Sequence, residues 1–530
     1  MDTYILLNDS EAEVSRLKKE IARLALENTE LKKLNHWYHE QFQLSQHRRF
    51  GVSSEKAVLP EQFNLFNEAE HLASSEITEE TEETITYKRK KPKGKREDFY
   101  RNIPTEQVIH ELSEDQRFCH ECGGLLHACG HEVLRRELEI IPAQVRAVEH
   151  VQTVYGCRDC EQNPKAVSLP MIKANVPAPV IAGSGIASPS LVAFIISNKY
   201  LLALPLNRQE QELRRMNIHI SRQTMANWVI YVANKWFTPV YDLLKAELLP
   251  NEILHADETT TQVILEKGRK ASQKSYMWAY GTGRDAPRQI VLFEYQPTRA
   301  GIHPMTFLEG FDGYLHVDAY AGYRKLEEMG ITLVQCWSHV RRKFDEAIKA
   351  MKPKERADSP ANIGLNYCSQ LFGLERKYNE EGIEPEERTK RRKQEAKPIS
   401  DAFFTWAESI EPQIPLLGKM REAITYALNQ KTRLMNYFLD GRLEISNNRI
   451  ERAIRPFTIG RNNWQFIYSA KGAKASAIAY SIVETALANG LAPFLYLSFL
   501  LRTLPNIPKE KYTDCLPWNP DVQKICKSPN

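Results

Sequence analysis

A chain of 530 residues, 42% of them hydrophobic, has ample material for a core, and its length suggests three or four domains. Its 71 basic and 67 acidic residues leave a formal net charge of +4, too small to prove a nucleic-acid partner, although the charge is unevenly spread. No stretch approaches the length of a membrane span, and no basic region precedes an apolar N-terminal run, which argues against a span and a signal peptide. Nine cysteines, an odd number without a signal, point to a reducing, cytoplasmic compartment and to metal ligation rather than disulfides.

Residues 1–45 read as a leucine-zipper-like coiled coil. Val14, Ile21, Asn28 and Asn35 share one heptad position, and Leu17, Leu24, Leu31 and Tyr38 share the other. Asparagine at the first kind of position lowers stability but favours a two-stranded parallel pair in register, so self-association is expected. A lone amphipathic helix packed on its own domain is the alternative. Residues 46–101 read as a charged linker. After the turn-like Arg48–Lys56 come an acidic block (Glu68 to Glu83) and a basic one (Lys88 to Arg96), neither of which can bury enough apolar area to fold. The basic block is either a solvated tether or a source of non-specific phosphate contacts.

Residues 102–170 read as a zinc ribbon. Cys119 and Cys122 form one CxxC pair and Cys157 and Cys160 a second, enough for one structural Zn²⁺ in a tetrahedral site. The 34 intervening residues exceed the usual short spacer, and Cys129, His127 and His131 are rival ligands. Residues 171–248 read as a helical domain. One helix opens near Leu204-Pro205-Leu206 with Arg208, a turn follows at Met216–Ile220, and a second helix starts behind Ser221 with Arg222 and Gln223. Helix, turn and helix with polar residues at the second start fits either a helix-turn-helix that contacts DNA or a merely structural pair.

Beyond Pro250 the pattern turns α/β. Ile253–Thr259 ends in the acids Asp257 and Glu258, and Tyr276–Tyr280 and Gln289–Tyr295 read as further strands. A helix from Arg299 to Leu308 precedes a strand through Gly313–Tyr320 that carries Asp318. A short helix over Tyr323–Met329 leads to a last strand at Ile331–Trp337. Three strands, helix, strand, helix, strand is the order of a ribonuclease-H-like core, in which the first and fourth strands are neighbours and Asp257 and Asp318 come together. A helix begins near His339, a charged helical insertion occupies 346–440, and Glu451 returns on a helix to meet the aspartates. The core thus spans 249–345 and 441–490, a helix ends at Asn489-Gly490, and 491–530 is left as a C-terminal tail.

Three convergent carboxylates suit two divalent ions, Mg²⁺ or Mn²⁺, acting on phosphodiesters. Arg452, Arg455 and Arg461 fall at spacings that surround Glu451 with positive charge, either to hold phosphate or to balance the acids. His339 either approaches the scissile phosphate or is satisfied locally. Trp337 and Trp464 read as core residues rather than base-stacking platforms.

From near Leu17 to about Leu501 the chain resembles the DDE transposases of the insertion sequence 66 family. The matching motifs are Arg49-Phe50-Gly51 with Ser54-Glu55-Lys56, the two CxxC pairs, Lys199-Tyr200 with Leu204-Pro205-Leu206 and Arg208-Gln209, and Asp257-Glu258-Thr259. Downstream come Asp318–Tyr323, Cys336-Trp337-Ser338-His339 with Arg341-Arg342-Lys343-Phe344, and Asn448–Pro456 with Gly460–Trp464. The resemblance implies Asp257, Asp318 and Glu451 as the catalytic triad, the four cysteines as zinc ligands and a helical insertion before the glutamate. It implies a bacterial, nucleoid-associated enzyme that cuts element ends and joins the 3′-hydroxyls to target DNA, with accessory proteins as further partners. Arg208, Arg222, Gln223, His339, Arg342, Asn448, Arg452, Arg455 and Arg461 are the expected DNA contacts. A DNA-binding regulator that no longer cuts and a ribonuclease-H-like nuclease without strand transfer are the rival readings.

Overall fold

The computed structural model describes residues 2–50, 145–156 and 171–528, which fall in two units, one of Met1–Glu79 with Pro179–Ser528 and one centred on Glu80–Ala178. The charged linker, the four expected zinc ligands and most of the expected zinc ribbon lie outside the described residues. Within the smaller unit, β1 (Val154–Gly156) pairs antiparallel with β2 (Met171–Lys173), and the sequence position of Cys157 directly follows β1.

The larger unit begins with α1 (Asp2–Phe50), a single helix. Its expected seam residues Leu17, Ile21, Leu24, Leu31 and Tyr38 are all exposed. Among its described side chains, anchoring is toward the C-terminal end: Leu44 is buried, and Glu40 accepts the Lys419 N–H at 3.1 Å. That carboxylate sits at a helix N-terminus, where negative charge is favoured.

The helical segment comprises α2 (Pro189–Tyr200), α3 (Leu206–Arg215), α4 (Arg222–Val232) and α5 (Thr238–Leu248). As expected, Ser221 caps α4 by accepting the Thr224 N–H at 3.1 Å. A π turn, Ala233–Phe237, joins α4 to α5. It stands just before Pro239, whose missing N–H breaks the regular helical ladder.

A mixed sheet follows: β3 (Ile253–Leu265), β4 (Lys274–Thr282), β5 (Val291–Gln296), then α6 (Ile302–Phe307), β6 (Tyr314–Val317) and β7 (Thr332–Gln335). Its order is β5-β4-β3-β6-β7. β4 is antiparallel to β3 and β5, while β6 is parallel to β3 and β7. The first and fourth strands are therefore neighbours. Three local expectations shift. α6 is shorter than the expected helix, the segment Ala321–Met329 is a 3₁₀ helix, and Trp337 opens a helix rather than ending a strand.

α7 (Trp337–Lys349) leads into a helical insertion of α8 (Pro360–Glu381), α9 (Pro385–Arg391), α10 (Lys397–Ile410), α11 (Lys419–Asn429) and α12 (Lys431–Met435), packed around Trp337, Phe344, Phe403 and Phe404. Arg392, fully buried, donates to both oxygens of Glu375 at 2.7 Å and to the carbonyls of Asp440 and Leu443 at 2.9 and 2.8 Å. The bidentate pair braces α8 within the insertion, and the two carbonyl bonds tie it to the segment that precedes the Glu451 helix.

The chain returns through α13 (Asn448–Trp464), β8 (Ile467–Ser469) and α14 (Ala470–Ala488). β8 pairs parallel with the far end of β3, an addition the sequence pattern did not suggest. α14 covers the edge of β5: Ser481 accepts the Phe293 N–H at 2.7 Å, and Thr485 both accepts from Val291 N and donates to Val291 O. Those hydroxyls, one helical turn apart, satisfy edge groups that would otherwise invite strand pairing. Residues expected to form a tail instead fold as α15 (Pro493–Thr503) and α16 (Pro520–Cys526), with Tyr496, Leu500, Tyr512 and Val522 in the main core. No helix among the described residues is long and apolar enough to cross a membrane.

Candidate active site

Two strands carry the same short pattern, His-x-Asp. His255 and Asp257 lie on β3, and His316 precedes Asp318 at the end of β6. Because side chains alternate along a strand, a histidine two residues before an aspartate shares its face. The parallel register pairs His255 with His316, and their rings stack 4.3 Å apart at 8°. The same register brings Asp257 and Asp318 together. Asp318 stands one residue past β6, and ligand oxygens of Asp257, Glu258 and Asp318 all lie within 4.8 Å of one another. Trp337 and the other expected core tryptophan, Trp464, pack as anticipated: Trp337 is fully buried, and Trp464 lies against the core under the Lys199 ammonium.

The three carboxylates differ in their partners. Glu258 has both oxygens engaged: Nε of Arg299 donates to Oε1 and the Tyr323 hydroxyl to Oε2, each at 2.6 Å. Arg299 also lies 3.8 Å from Asp318 Oδ2 and stacks over the Tyr320 ring at 3.9 Å. A Cβ on Gly301 would come within 2.4 Å of Gly322 O, so glycine is required where the Arg299 loop meets the segment after Asp318. Asp257 Oδ1 accepts the Glu258 N–H, and Asp318 Oδ1 accepts the Tyr320 N–H, both at 2.9 Å. Burial, then the neighbouring charges of Glu258, Asp318 and Glu451, push the Asp257 carboxyl well above the usual carboxylate range. Burial and Asp318 likewise raise Glu258, against the opposing pull of Tyr323 and Arg299.

Glu451 sits in the first turn of α13, close enough to add to the field on Asp257, yet its oxygens face another way. Oε1 lies 3.9 Å from His339 Nδ1, and Oε2 lies 3.6 Å from Arg342 Nη2. It belongs to a second cluster, with Cys336 and His339. Burial lowers His339, but Cys336 and Glu451 outweigh it and push the imidazole up to about 9.

α13 is fastened to β3 by Asn447, which is fully buried at its N-cap position. Its Nδ2 donates to Ala256 O at 2.9 Å, its Oδ1 lies 2.9 Å from His255 Nδ1, and its N–H points at Cys336 Sγ at 3.1 Å. Beneath it, His255 Nε2 lies 3.0 Å from Glu444 Oε2, and the Glu444 N–H donates to His316 Nε2 at 3.3 Å. Burial works against Glu444, but His255, Arg449 and His316 hold its carboxyl far below the usual range; burial and then His255 drive His316 well below its own.

The expected phosphate contacts separate. Arg461 donates to Thr259 Oγ1 and Thr260 Oγ1, each at 3.1 Å, and to Thr260 O, so it fastens α13 to β3 rather than facing Glu451. His339 and Arg342 do gather at Glu451. Arg452 is exposed and Asn448 half-buried on α13, while Arg208 on α3 and Arg222 and Gln223 on α4 are exposed. Arg455 is half-buried on the same helix. Residues that sequence reasoning left without a role are Arg299, Tyr323, Asn447, Cys336 and the two stacked histidines. The repeated His-x-Asp spacing was a readable signal for the histidines; no local pattern marks Arg299.

The donor sets define what the arrangement can hold. Asp257 and Asp318 offer oxygens alone, amid excess negative charge that a hard divalent cation would offset.

Comparison with known proteins agrees in order along the chain. The family described as "Transposase IS66 family" matches residues 184–475, which contain Asp257, Asp318 and Glu451. The "zinc-finger binding domain of transposase IS66" matches 116–161, spanning both CxxC pairs. The "Transposase C of IS166 homeodomain" matches 37–108, and the "IS66 C-terminal element" matches 481–518. Among individual relatives, the uncharacterized protein y4hP of Sinorhizobium fredii is 29% identical over 467 residues, covering 85% of this chain and 81% of that one. The uncharacterized protein y4qI of the same organism is 28% identical over 491 residues, covering 89% and 87%.

Proposed function

This chain belongs to the IS66 transposase family, and from that premise we propose that it is a DDE transposase with a ribonuclease-H-like core, cutting insertion-sequence ends and joining the 3′-hydroxyls to target DNA. The observation that carries the reading is the meeting of Asp257 and Asp318 from adjacent parallel strands, with Glu451 on the helix bonded across them.

Asp257 and Asp318, joined by Glu451 from α13, would hold the metal. Two Mg²⁺ or Mn²⁺ ions bound there supply activation of water or a 3′-hydroxyl and stabilisation of the leaving oxygen. Glu258, with both oxygens bonded, positions Arg299 beside Asp318 rather than serving as a ligand. Arg342, half exposed beside Glu451, presents a guanidinium where a phosphate oxygen can be held. Asn447 and Arg461 keep α13 seated on β3, so Glu451 keeps its distance from the aspartates.

The zinc ribbon with its Cys119, Cys122, Cys157 and Cys160 site, and the α3–α4 pair with Arg208, Arg222 and Gln223, recognise the terminal repeats. The exposed apolar seam of α1 pairs two copies of the chain so that two ends are held together. Footprinting with each module deleted tests these roles; unchanged end protection refutes the role of the module removed.

The reading is tested with labelled element-end duplexes and Mg²⁺, comparing the wild type with Asp257→Ala. Nicking and joining by the wild type alone is expected. Binding without cleavage by the wild type points instead to a regulator, and cleavage without joining to a nuclease.

A further inference from the structure

Cys336, His339 and Glu451 offer one sulfur, one imidazole nitrogen and one carboxylate oxygen, all within 4.8 Å of one another. Cys336 is the N-cap of α7 and His339 lies in that helix's first turn, while Glu451 arrives from the first turn of α13. Nδ1 of His339 and Oε1 of Glu451 are both buried without a hydrogen-bond partner, 3.9 Å apart. That separation is too long for a hydrogen bond. A tetrahedral ion bonded at about 2.0–2.1 Å leaves about 3.4 Å between two ligand atoms, so the pair need close by only about half an ångström to hold one. A ligand between them would satisfy both atoms at once.

The sulfur is prepared for the same task. Cys336 is fully buried, its Sγ receives the Asn447 N–H at 3.1 Å, and it stands at the N-terminus of a thirteen-residue helix, so the sulfur is held in place beside His339 and Glu451. Arg342 takes the other oxygen of Glu451, which leaves Oε1 turned toward His339.

We propose that Cys336, His339 and Glu451 form a binding site for a zinc ion, separate from the oxygen-only site of Asp257 and Asp318. A sulfur–nitrogen–oxygen donor set selects zinc or cobalt and disfavours magnesium, which keeps oxygen ligands. Loading releases the Cys336 thiol proton, and any proton on Nδ1 of His339, to solvent. The site itself needs no assumption about the reaction. Its consequence rests on the reading of Glu451 as a catalytic carboxylate: zinc there engages Glu451 away from the aspartates and holds the enzyme inactive.

The test is a Co²⁺ titration of the full-length protein with its zinc finger already loaded with zinc. One further equivalent should bind with a thiolate-to-cobalt charge-transfer band and the strong visible bands of four-coordinate cobalt. Cys336→Ser should abolish the charge-transfer band, and His339→Gln should weaken binding of that equivalent by about 10- to 100-fold or more. X-ray absorption at the cobalt edge of the wild type, which needs no variant, should show one sulfur with nitrogen and oxygen neighbours. No cobalt binding, cobalt bound solely with an oxygen-only six-coordinate spectrum, or a charge-transfer band that survives Cys336→Ser in a folded variant overturns the site. If cobalt binds as described while Asp257→Ala still cleaves, the catalytic reading falls and the metal site stands. If Asp257→Ala abolishes cleavage and no thiolate-bound cobalt forms, the metal site falls alone.

Discussion

The side-chain amide of Asn447 donates to the carbonyl of Ala256 at 2.9 Å, bonding the start of the Glu451 helix to the residue that precedes Asp257. Two acids distant in sequence are thus joined through one buried amide rather than through loose packing. Asn447→Ala removes that bond and leaves a buried carbonyl and an imidazole nitrogen without their partner. We expect a loss of about 2–4 kcal/mol in urea unfolding. Cleavage should fall by about 100-fold at a temperature where the variant is still folded by circular dichroism, because a displaced α13 no longer presents Glu451 beside the aspartates.

The acids themselves trade stability against activity. Burial, and then a field of three other carboxylates, raise the Asp257 carboxyl, so without metal its ionised form destabilises the fold. Asp257→Asn should therefore raise the melting temperature of the metal-free protein by about 1–3 °C near neutral pH. The same change should lower end cleavage by about 1,000-fold or more. Glu451→Gln should abolish cleavage while DNA binding in a gel-shift assay is retained.

Arg299 is the counter-charge of Glu258, whose side chain is only 1% exposed. Arg299→Ala leaves that carboxyl buried with Tyr323 alone, and we expect a destabilisation of about 3 kcal/mol. Adding Glu258→Gln should restore much of the loss. A double variant as unstable as Arg299→Ala alone would show that the arginine acts through its stacking on Tyr320 instead.

Glu484 on α14 gives a pH signature away from the acid cluster. It lines a cavity of about 290 Å³, and its buried Oε1 has no hydrogen-bond partner. Burial pushes its carboxyl from the ordinary 4.5 up to about 8. The folded state holds this proton more tightly than the unfolded chain, so the group's contribution is whole below 4.5 and is lost as pH rises through about 8. Glu484→Gln should match the wild type in melting temperature near pH 5 and exceed it by about 1–3 °C near pH 8.5.

Leu24 is half exposed on the seam of α1, while Leu44 near the helix end is buried against the rest of the unit. Leu24→Glu should shift sedimentation equilibrium from dimer to monomer without altering the far-ultraviolet spectrum beyond α1 itself. Dimers that persist would locate self-association elsewhere.

Chain-local physics determined a large part of this molecule without reference to its fold. Alternating and helical periodicity marked the strands around Asp257 and Asp318, the cap at Ser221 and the stop at Gly490, because those signals arise from residues within a few positions of one another. Motif order was enough to indicate the family. Only the tertiary structure decided which side chains meet. It sent Arg461 to the β3 backbone rather than to Glu451, brought Arg299 onto Glu258, folded the expected tail into the core, and turned Glu451 toward Cys336 and His339. These partners lie on separate elements, and the choice among them is a competition of burial, charge and hydrogen bonding that sequence spacing does not encode. The paired His-x-Asp segments stand between the two cases: their period was legible, but only the parallel register of β3 and β6 stacked the rings and joined the acids.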